Sequence, residues 1–391
     1  MADSRQKEKQ PERQSVEKLR KKRAAKRMRR VATVVVVVAL VLTYITGLFS
    51  VPAALFATAL DSVSVFFSGG NGYPVATPVE DFKKAEAIGG SMAVLGIRDL
   101  VILSPSAAET LRIQHGYGNP AITANNTRIC IYNRAGTQLR VESRTRSLFA
   151  QTYERPILLA SMSEGGYLAV ATKSERYTAQ VIVYNAGFEE LYTWYSAANT
   201  PMILTFSEDN KYLAIACPVA RGGELGTEIT ILHNGEEVTK IYKEGSLALQ
   251  IEYMASGQIR ILYDDCVLLY NRDTGEEIER YVYGGRGILY ADSTRGTALA
   301  IVFGDDNQSI LNHVVVLDEK LEEILNIPVG VAVKDILITR DRIYILTGIR
   351  VLKYNLQGEL LETVELESFG QGLVYSKKVL VITVKNIIEI F

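Results

Sequence analysis

Short apolar stretches alternate with turn-forming residues from about residue 85 to the C-terminus. One recurring unit is a polar turn leading into an apolar strand, and its clearest copies start at Ser163, Ser207 and Ser293. Weaker copies start at Ser256, Thr339 and Ser376. A pattern of short apolar strands separated by turns, without helical periodicity, predicts an all-β domain built from repeats.

A second unit follows most copies of the first: an apolar strand, a turn and a more polar strand. The copies are Arg128–Gly136, Val181–Gly187, Ile229–Gly235, Val267–Gly275, Val314–Asp318 and Val351–Gly358. Asn followed closely by Gly favours a tight hairpin, because both residues tolerate positive φ. Tyr132, Tyr184, Tyr270 and Tyr354 occupy what we interpret as equivalent positions, where packing between repeats explains them.

Two hairpins in each repeat of about 37–50 residues are typical of the four-stranded blades of a β-propeller. Six repeats are clear, and residues 85–125 together with the C-terminal strands supply more. The sequence therefore predicts an all-β propeller over residues 81–391, with seven blades favoured and eight as the alternative.

The C-terminus predicts how the ring closes. Gly372–Tyr375, Lys378–Val384 and Asn386–Phe391 are three consecutive predicted strands, and the chain then ends. A three-stranded last blade would leave an unpaired apolar edge. We therefore expect Lys84–Ile88 to pair beside Asn386–Phe391 as the outer strand of the last blade.

One apolar run near the N-terminus has a different character. No charged residue occurs from Val31 to Leu60, and residues 31–50 alone match the roughly 20 residues that cross a bilayer as a helix. Residues 1–30 hold thirteen Lys or Arg against four Asp or Glu. The positive-inside rule places this basic tail in the cytoplasm and the rest of the chain outside. Residues 51–80 would form a juxtamembrane segment and a flexible stalk rich in Gly and Pro.

Two other interpretations of the N-terminus compete. The basic tail could be a nucleic-acid-binding arm, but retention and contact with anionic lipid explain a basic flank beside a span more simply. The run could also be a cleaved signal peptide, since Ala57-Thr58-Ala59 resembles a cleavage site. A basic region of 30 residues and a long apolar region favour an anchor instead. From residue 81 onward the chain is mildly acidic, which argues against nucleic-acid binding there.

Candidate chemistry is sparse. Cys130, Cys217 and Cys266 lie in apolar or β-branched contexts without a C-x-x-C motif, so we expect them to be buried and unpaired. His115, His233 and His313 show no metal-binding spacing. We therefore assign no catalytic, cofactor-binding or metal-binding residue and expect no cofactor.

Acidic pairs follow the second turn of several repeats: Glu189-Glu190, Glu236-Glu237, Glu276-Glu277 and Glu322-Glu323. Calcium binding is one explanation for such pairs. The favoured explanation is that charge on exposed outer strands discourages edge-to-edge association. Asp264-Asp265 and Asp305-Asp306-Asn307 also lack the spacing of a calcium loop.

The turns that lead from Ser163 and Ser207 into Tyr-Leu-Ala, and the Tyr-Asn-x-x-Gly hairpins, resemble those of WD40-like and quinoprotein-like propellers. The whole layout resembles an uncharacterised "domain of unknown function" family of Firmicutes single-pass membrane proteins. Two parts of this chain fit that family's pattern: Asn119-Pro120-Ala121 before Arg128–Gly136, and Gly165–Ala171 before Val181–Gly187. The resemblance implies a propeller outside the membrane and no known activity. Trp194 is the single tryptophan, and Glu279 stands where a quinoprotein docking tryptophan is expected, so quinone binding is not supported.

Two functions remain on this basis. The favoured one is a membrane-anchored, non-enzymatic module that binds or scaffolds a protein, peptide or envelope component. The alternative is an extracytoplasmic hydrolase or lyase with acidic residues at the mouth of the propeller channel. The fold cannot separate them, because propellers host both kinds of function.

Overall fold

The computed structural model describes Val65 and residues 68–391, apart from residues 295–297 and 306–307. These residues form eight four-stranded antiparallel sheets. The predicted transmembrane segment 31–50 and the basic tail 1–30 lie outside the described residues. Among the residues described, no helix is both long enough and apolar enough to cross a bilayer.

Each sheet is one blade, and its strands follow one another from the axis outward. Blade 1 consists of β2 (Lys84–Ile88), β3 (Ser91–Leu95), β4 (Asp99–Leu103) and β5 (Glu109–Gln114). Blade 2 consists of β6 (Pro120–Ala124), β7 (Ile129–Asn133), β8 (Gln138–Glu142) and β9 (Ser147–Thr152). Blade 3 consists of β10 (Ile157–Met162), β11 (Leu168–Lys173), β12 (Ala179–Tyr184) and β13 (Glu190–Ser196). Blade 4 consists of β14 (Ile203–Phe206), β15 (Tyr212–Arg221), β16 (Glu224–His233) and β17 (Glu236–Glu244).

The second half of the ring repeats this order. Blade 5 consists of β18 (Ala248–Tyr253), β19 (Gln258–Tyr263), β20 (Cys266–Asn271) and β21 (Glu277–Val282). Blade 6 consists of β22 (Gly287–Thr294), β23 (Ala298–Asp305), β24 (Gln308–Leu317) and β25 (Glu323–Val329). Blade 7 consists of β26 (Asp335–Ile338), β27 (Arg342–Leu346), β28 (Arg350–Asn355) and β29 (Leu360–Glu365). Blade 8 consists of β30 (Gly370–Tyr375), β31 (Val379–Thr383), β32 (Asn386–Glu389) and the N-terminal β1 (Val75–Ala76).

The core lies between blades rather than within one sheet. The middle strands are buried on both faces, as in β31, whose five residues are all buried, whereas β29 at the outside is largely exposed. Ile229 of blade 4 and Ile261 of blade 5 belong to one apolar cluster, which shows how neighbouring blades share a core. Burial on both faces explains why these strands are continuously apolar in the sequence.

The predicted four-stranded blades are confirmed, but the ring has eight blades, not the favoured seven. The additional blade is blade 1, whose strands β2–β5 come from residues 84–114. These residues lack both turn signatures of the other repeats, so the sequence alone left them without a complete blade of their own.

The predicted closing segment is wrong, although the last blade does borrow a strand from the N-terminus. Lys84–Ile88 is β2, the innermost strand of blade 1. The strand beside β32 is β1, with Val75 opposite Ile387 and Ala76 opposite Asn386. The backbone N–H of Thr77 extends this pairing by donating to the Lys385 carbonyl at 2.9 Å.

The antiparallel order gives the ring two distinct faces. The turn face carries the connections from first to second strand and from third to outer strand. The linker face carries the connections from second to third strand and from one blade to the next. The hairpins at Asn185 and Asn355 lie on the turn face, between third and outer strands. The hairpin at Asn133 joins β7 to β8 on the linker face, so the assumed equivalence of Tyr132 with Tyr184 is wrong.

A β-bulge recurs after the first residue of the outer strand in blades 1–3 and 5–7, and after the second residue in blade 4. The bulged residues are Thr110, Leu148, Leu191, Val238, Ile278, Ile324 and Leu361. A bulge increases the local twist of a strand and is one means by which proteins protect a free sheet edge. It also explains why the last five of these side chains, all aliphatic, are exposed.

Candidate functional site

A polar cavity of about 430 Å³ opens on the turn face, where the inner strands of blades 3–6 end. We call it the polar mouth. It is lined by Ser161, Met162, Ser163, Glu164, Thr205, Phe206, Ser207, Glu208, Gln250, Ile251, Glu252, Tyr253, Ala255 and Ser293. Hydroxyl, amide and carboxylate groups from four blades therefore converge on one opening.

The repeated serines at this mouth hold turns together. Ser163 Oγ accepts from the N–H of Tyr167 at 2.9 Å, and Ser207 Oγ accepts from the N–H of Tyr212 at 3.0 Å. In blade 2 the side chain of Asn125 has the same role, since its Oδ1 accepts from the N–H of Arg128 at 2.8 Å. A side chain that caps its own turn accounts for the repeated motif without a nucleophilic role.

Three carboxylates face the polar mouth: Glu164, Glu208 and Glu252. Glu164 accepts from Asn126 Nδ2 at 2.8 Å. Glu252 accepts from Arg260 Nη2 at 2.5 Å across the β18–β19 ladder. The Arg260 side chain is only 2% exposed, so this ion pair joins a buried cation to a carboxylate that reaches the cavity.

Two partly buried carboxylates, of Asp292 and Asp335, join the inner strand of one blade to that of the next. Asp292 Oδ2 accepts from the N–H of Ile338 at 2.7 Å, and Asp335 Oδ2 accepts from the N–H of Leu373 at 2.8 Å. Burial raises the pKa of Asp292 to about 6, and the charges of Asp335 and Glu252 add to that rise. Burial likewise raises the pKa of Asp335. These carboxylates connect blades 6, 7 and 8 around the axis.

The three histidines lie away from the polar mouth. No histidine lines the polar mouth within the described ranges. His115 is buried beside Gly96 at the linker face, and His233 stacks on Tyr212 with ring centroids 4.6 Å apart. His313 lies in β24, opposite Phe303. With carboxylates, hydroxyls and the aromatic rings of Phe206 and Tyr253, the mouth can hold a cationic, hydrogen-bonding group.

The acidic pairs have structural partners on the turn face. Glu189 accepts from Asn185 Nδ2 at 2.8 Å and so closes its own hairpin. Glu237 accepts from Trp194 Nε1 of blade 3 at 2.9 Å, and Glu323 accepts from Tyr281 of blade 5 at 2.7 Å. Glu237 and Glu323 therefore join neighbouring blades, in addition to placing charge on outer strands. Among the residues that the structure describes, no three His, Cys, Asp or Glu side chains are grouped to hold a metal ion.

The three cysteines are buried and unpaired, as the sequence predicted. Burial raises the pKa of the Cys217 and Cys266 thiols to about 12 and also raises that of Cys130. Such thiols are poor nucleophiles at neutral pH.

Of the lining residues, the sequence singled out Ser163, Ser207 and Ser293 as the starts of repeated turns, and it assigned none of them to a binding site. Gln250 and Glu252 line the cavity, and Asp292 and Asp335 lie in neighbouring inner strands. Their only signal in the sequence is a polar side chain in a largely apolar strand. Which of these side chains meet depends on how the blades close into a ring, and no local sequence pattern contains that information.

Fold and cavity together define the class: an eight-bladed β-propeller with a polar mouth at one end of its axis. The chain belongs to the family described as "Family of unknown function (DUF5711)", whose model matches residues 86–390. No curated protein matches its sequence.

Solved propellers resemble the chain in fold. BamB from Moraxella catarrhalis is 10% identical with a TM-score of 0.54, covering 81% of this chain and 98% of that one. The C-terminal WD40 domain of Sif2 is 11% identical with a TM-score of 0.60, covering 83% and 100%. Apo AztD from Citrobacter koseri is 10% identical with a TM-score of 0.55, covering 75% and 88%. At these identities the likeness concerns the fold alone.

Proposed function

We propose that this protein is a membrane-anchored, extracytoplasmic binding or scaffolding module without enzymatic activity. The observation that carries the proposal is the polar mouth, where three carboxylates and several hydroxyl groups surround an open cavity without a histidine among its lining residues. The apolar run 31–50 behind a basic tail supports the anchor.

The chemistry of the polar mouth indicates what it binds. Glu164 and Glu208 lie at the cavity rim, while Glu252 is held by the buried Arg260. Carboxylates at an opening favour a ligand with positive charge, and hydroxyl and amide groups add hydrogen bonds that orient it. A protein or peptide segment bearing Lys or Arg side chains fits this lining.

Site-specific photo-cross-linking in intact cells tests the proposal. A benzophenone amino acid replaces Thr205 in the polar mouth, and a control replaces Leu360, an exposed residue of outer strand β29. We expect a recurring adduct from position 205 only. We also expect its loss when Glu164→Lys and Glu208→Lys reverse the charge of the rim.

Two results would contradict the proposal. One is an adduct pattern at position 205 that matches that of position 360. The other is an adduct that survives charge reversal unchanged.

A further inference from the structure

Most outer strands of the ring carry features that discourage pairing with another chain. Charged side chains recur within β5, β17, β21 and β29. Strand β25 contains Pro328, which lacks an N–H to donate. Interior charge and proline are recognised means of protecting a sheet edge.

Strand β13 of blade 3 shares the bulge of the other outer strands but differs from them in composition. Its sequence is Glu-Leu-Tyr-Thr-Trp-Tyr-Ser, and after Glu190 it contains no charge and no proline. Aromatic and β-branched residues favour strand pairing. Strand β9 is also uncharged, but its exposed residues, which include Ser147 and Ala150, are small or polar. Among the outer strands that the structure describes, β13 alone combines large exposed apolar groups with a stretch free of charge and of proline after its first residue.

Large apolar side chains are exposed on and beside β13. Leu191 and Tyr195 are each 49% exposed. Tyr177, from the turn between β11 and β12, is 44% exposed and lies against Tyr195 with ring centroids 4.9 Å apart. Burying these side chains against a partner would remove apolar area from water, which favours association.

The order of residues in β13 makes the strand complementary to itself. In an antiparallel pair centred on Thr193, Leu191 lies opposite Tyr195, and Tyr192 lies opposite Trp194. Glu190 lies opposite Ser196, so no like charges meet. Aliphatic–aromatic and Thr–Thr pairs are among the favourable cross-strand combinations.

We infer that a second copy of this chain binds at β13, forming a two-fold dimer in which the outer strands of the two blade 3 sheets pair antiparallel. The bulge at Leu191 falls at the two outer pairs, which join Leu191 to Tyr195, while the central pairs from Tyr192 to Trp194 lie in the regular part of the ladder. A symmetric contact of this kind is the commonest form of protein dimer.

Disulfide trapping in native membranes tests the inference on the full-length protein. Thr193→Cys is oxidised under mild conditions and examined on a non-reducing gel. The control is Arg280→Cys, which lies at the corresponding position of β21 in blade 5. The three native thiols are buried, so the background is low. We expect a cross-linked dimer for Thr193→Cys at least tenfold above the control.

A charge variant tests the same contact without a cysteine. Thr193→Lys with Tyr195→Lys gives β13 the kind of charge that other outer strands carry. We expect the full-length protein in nanodiscs to dissociate at least tenfold more readily with these changes, while its circular dichroism spectrum stays the same. Equal cross-linking of the two cysteine variants, or a dimer that persists in the lysine variant, would overturn the inference. A native chain that is monomeric at tens of micromolar would do so as well.

Discussion

At the scale of single residues, several polar groups of the inner strands have hydrogen-bond partners within the ring itself. Asp292 and Asp335 accept backbone hydrogen bonds from the inner strand of the next blade. Arg260 is buried against Glu252, so removal of either partner changes both stability and the cavity lining. Any test of binding at the polar mouth therefore needs variants of Glu164 or Glu208 rather than of Asp292, Asp335 or Arg260.

Asp292 gives a prediction that depends on pH. Its pKa is about 6 in the folded protein against 3.8 for a free side chain, so the folded state holds the proton to higher pH than the unfolded state does. The resulting stability is present below pH 4 and is lost as the pH rises through 6. Asp292→Asn removes this dependence but keeps an oxygen to accept from Ile338. We expect the native protein to lose on the order of 2–3 kcal/mol relative to the variant between pH 4 and 7.5.

Urea unfolding of residues 68–391 at both pH values measures this difference. The control is Asp341→Asn, because Asp341 lies on an exposed turn. A difference between native protein and Asp292→Asn that is constant with pH would contradict the prediction.

At the scale of elements, strand type was predictable and strand partners were less so. The apolar stretch Val379–Thr383 and the Asn355–Gly358 hairpin are local patterns, and both elements are present. The choice of closing strand is not local, because any short segment upstream could in principle pair with β32. Val75–Ala76 is selected by distance along the chain, since β2 is already needed as the inner strand of blade 1.

The closing strand is expected to stabilise the whole ring. Val75 and Tyr73 pack against the apolar cluster that contains Ile387, and Thr77 Oγ1 donates to the Thr383 carbonyl at 2.8 Å. A chain beginning at Pro78 lacks these contacts and leaves β32 as a free edge. We expect it to be less stable by about 1–3 kcal/mol and more prone to aggregate than a chain beginning at Ser68.

Urea unfolding and light scattering compare the two chains under identical conditions. The matched substitution Val75→Asp in the longer chain should reproduce much of the loss, because it places a charge among apolar side chains. Equal midpoints and equal scattering of the two chains would exclude a closing role for β1.

At the scale of the whole molecule, one prediction concerns the side of the membrane on which the propeller lies. We predict that residues 68–391 are outside the cytoplasm, because the basic tail is retained inside. Asn71→Cys introduces an exposed thiol near the start of the ring, and the three native thiols are buried. A membrane-impermeant maleimide should label this variant in intact cells.

The matched control is Ser4→Cys in the basic tail, which should react only after lysis. Labelling of Ser4→Cys in intact cells together with protection of Asn71→Cys would reverse the assigned orientation.

The sequence by itself determined the all-β class, the four-stranded repeat and the burial of the three cysteines. These follow from local periodicity, turn chemistry and side-chain polarity, all of which depend on residues that are close together in the sequence. Tertiary structure alone decided the eighth blade, the closing strand at Val75 and the meeting of Glu164, Glu208 and Glu252 at one mouth. The physical reason is that a ring brings together residues far apart in sequence. Their proximity depends on how many blades close it and on which strand is left to pair last.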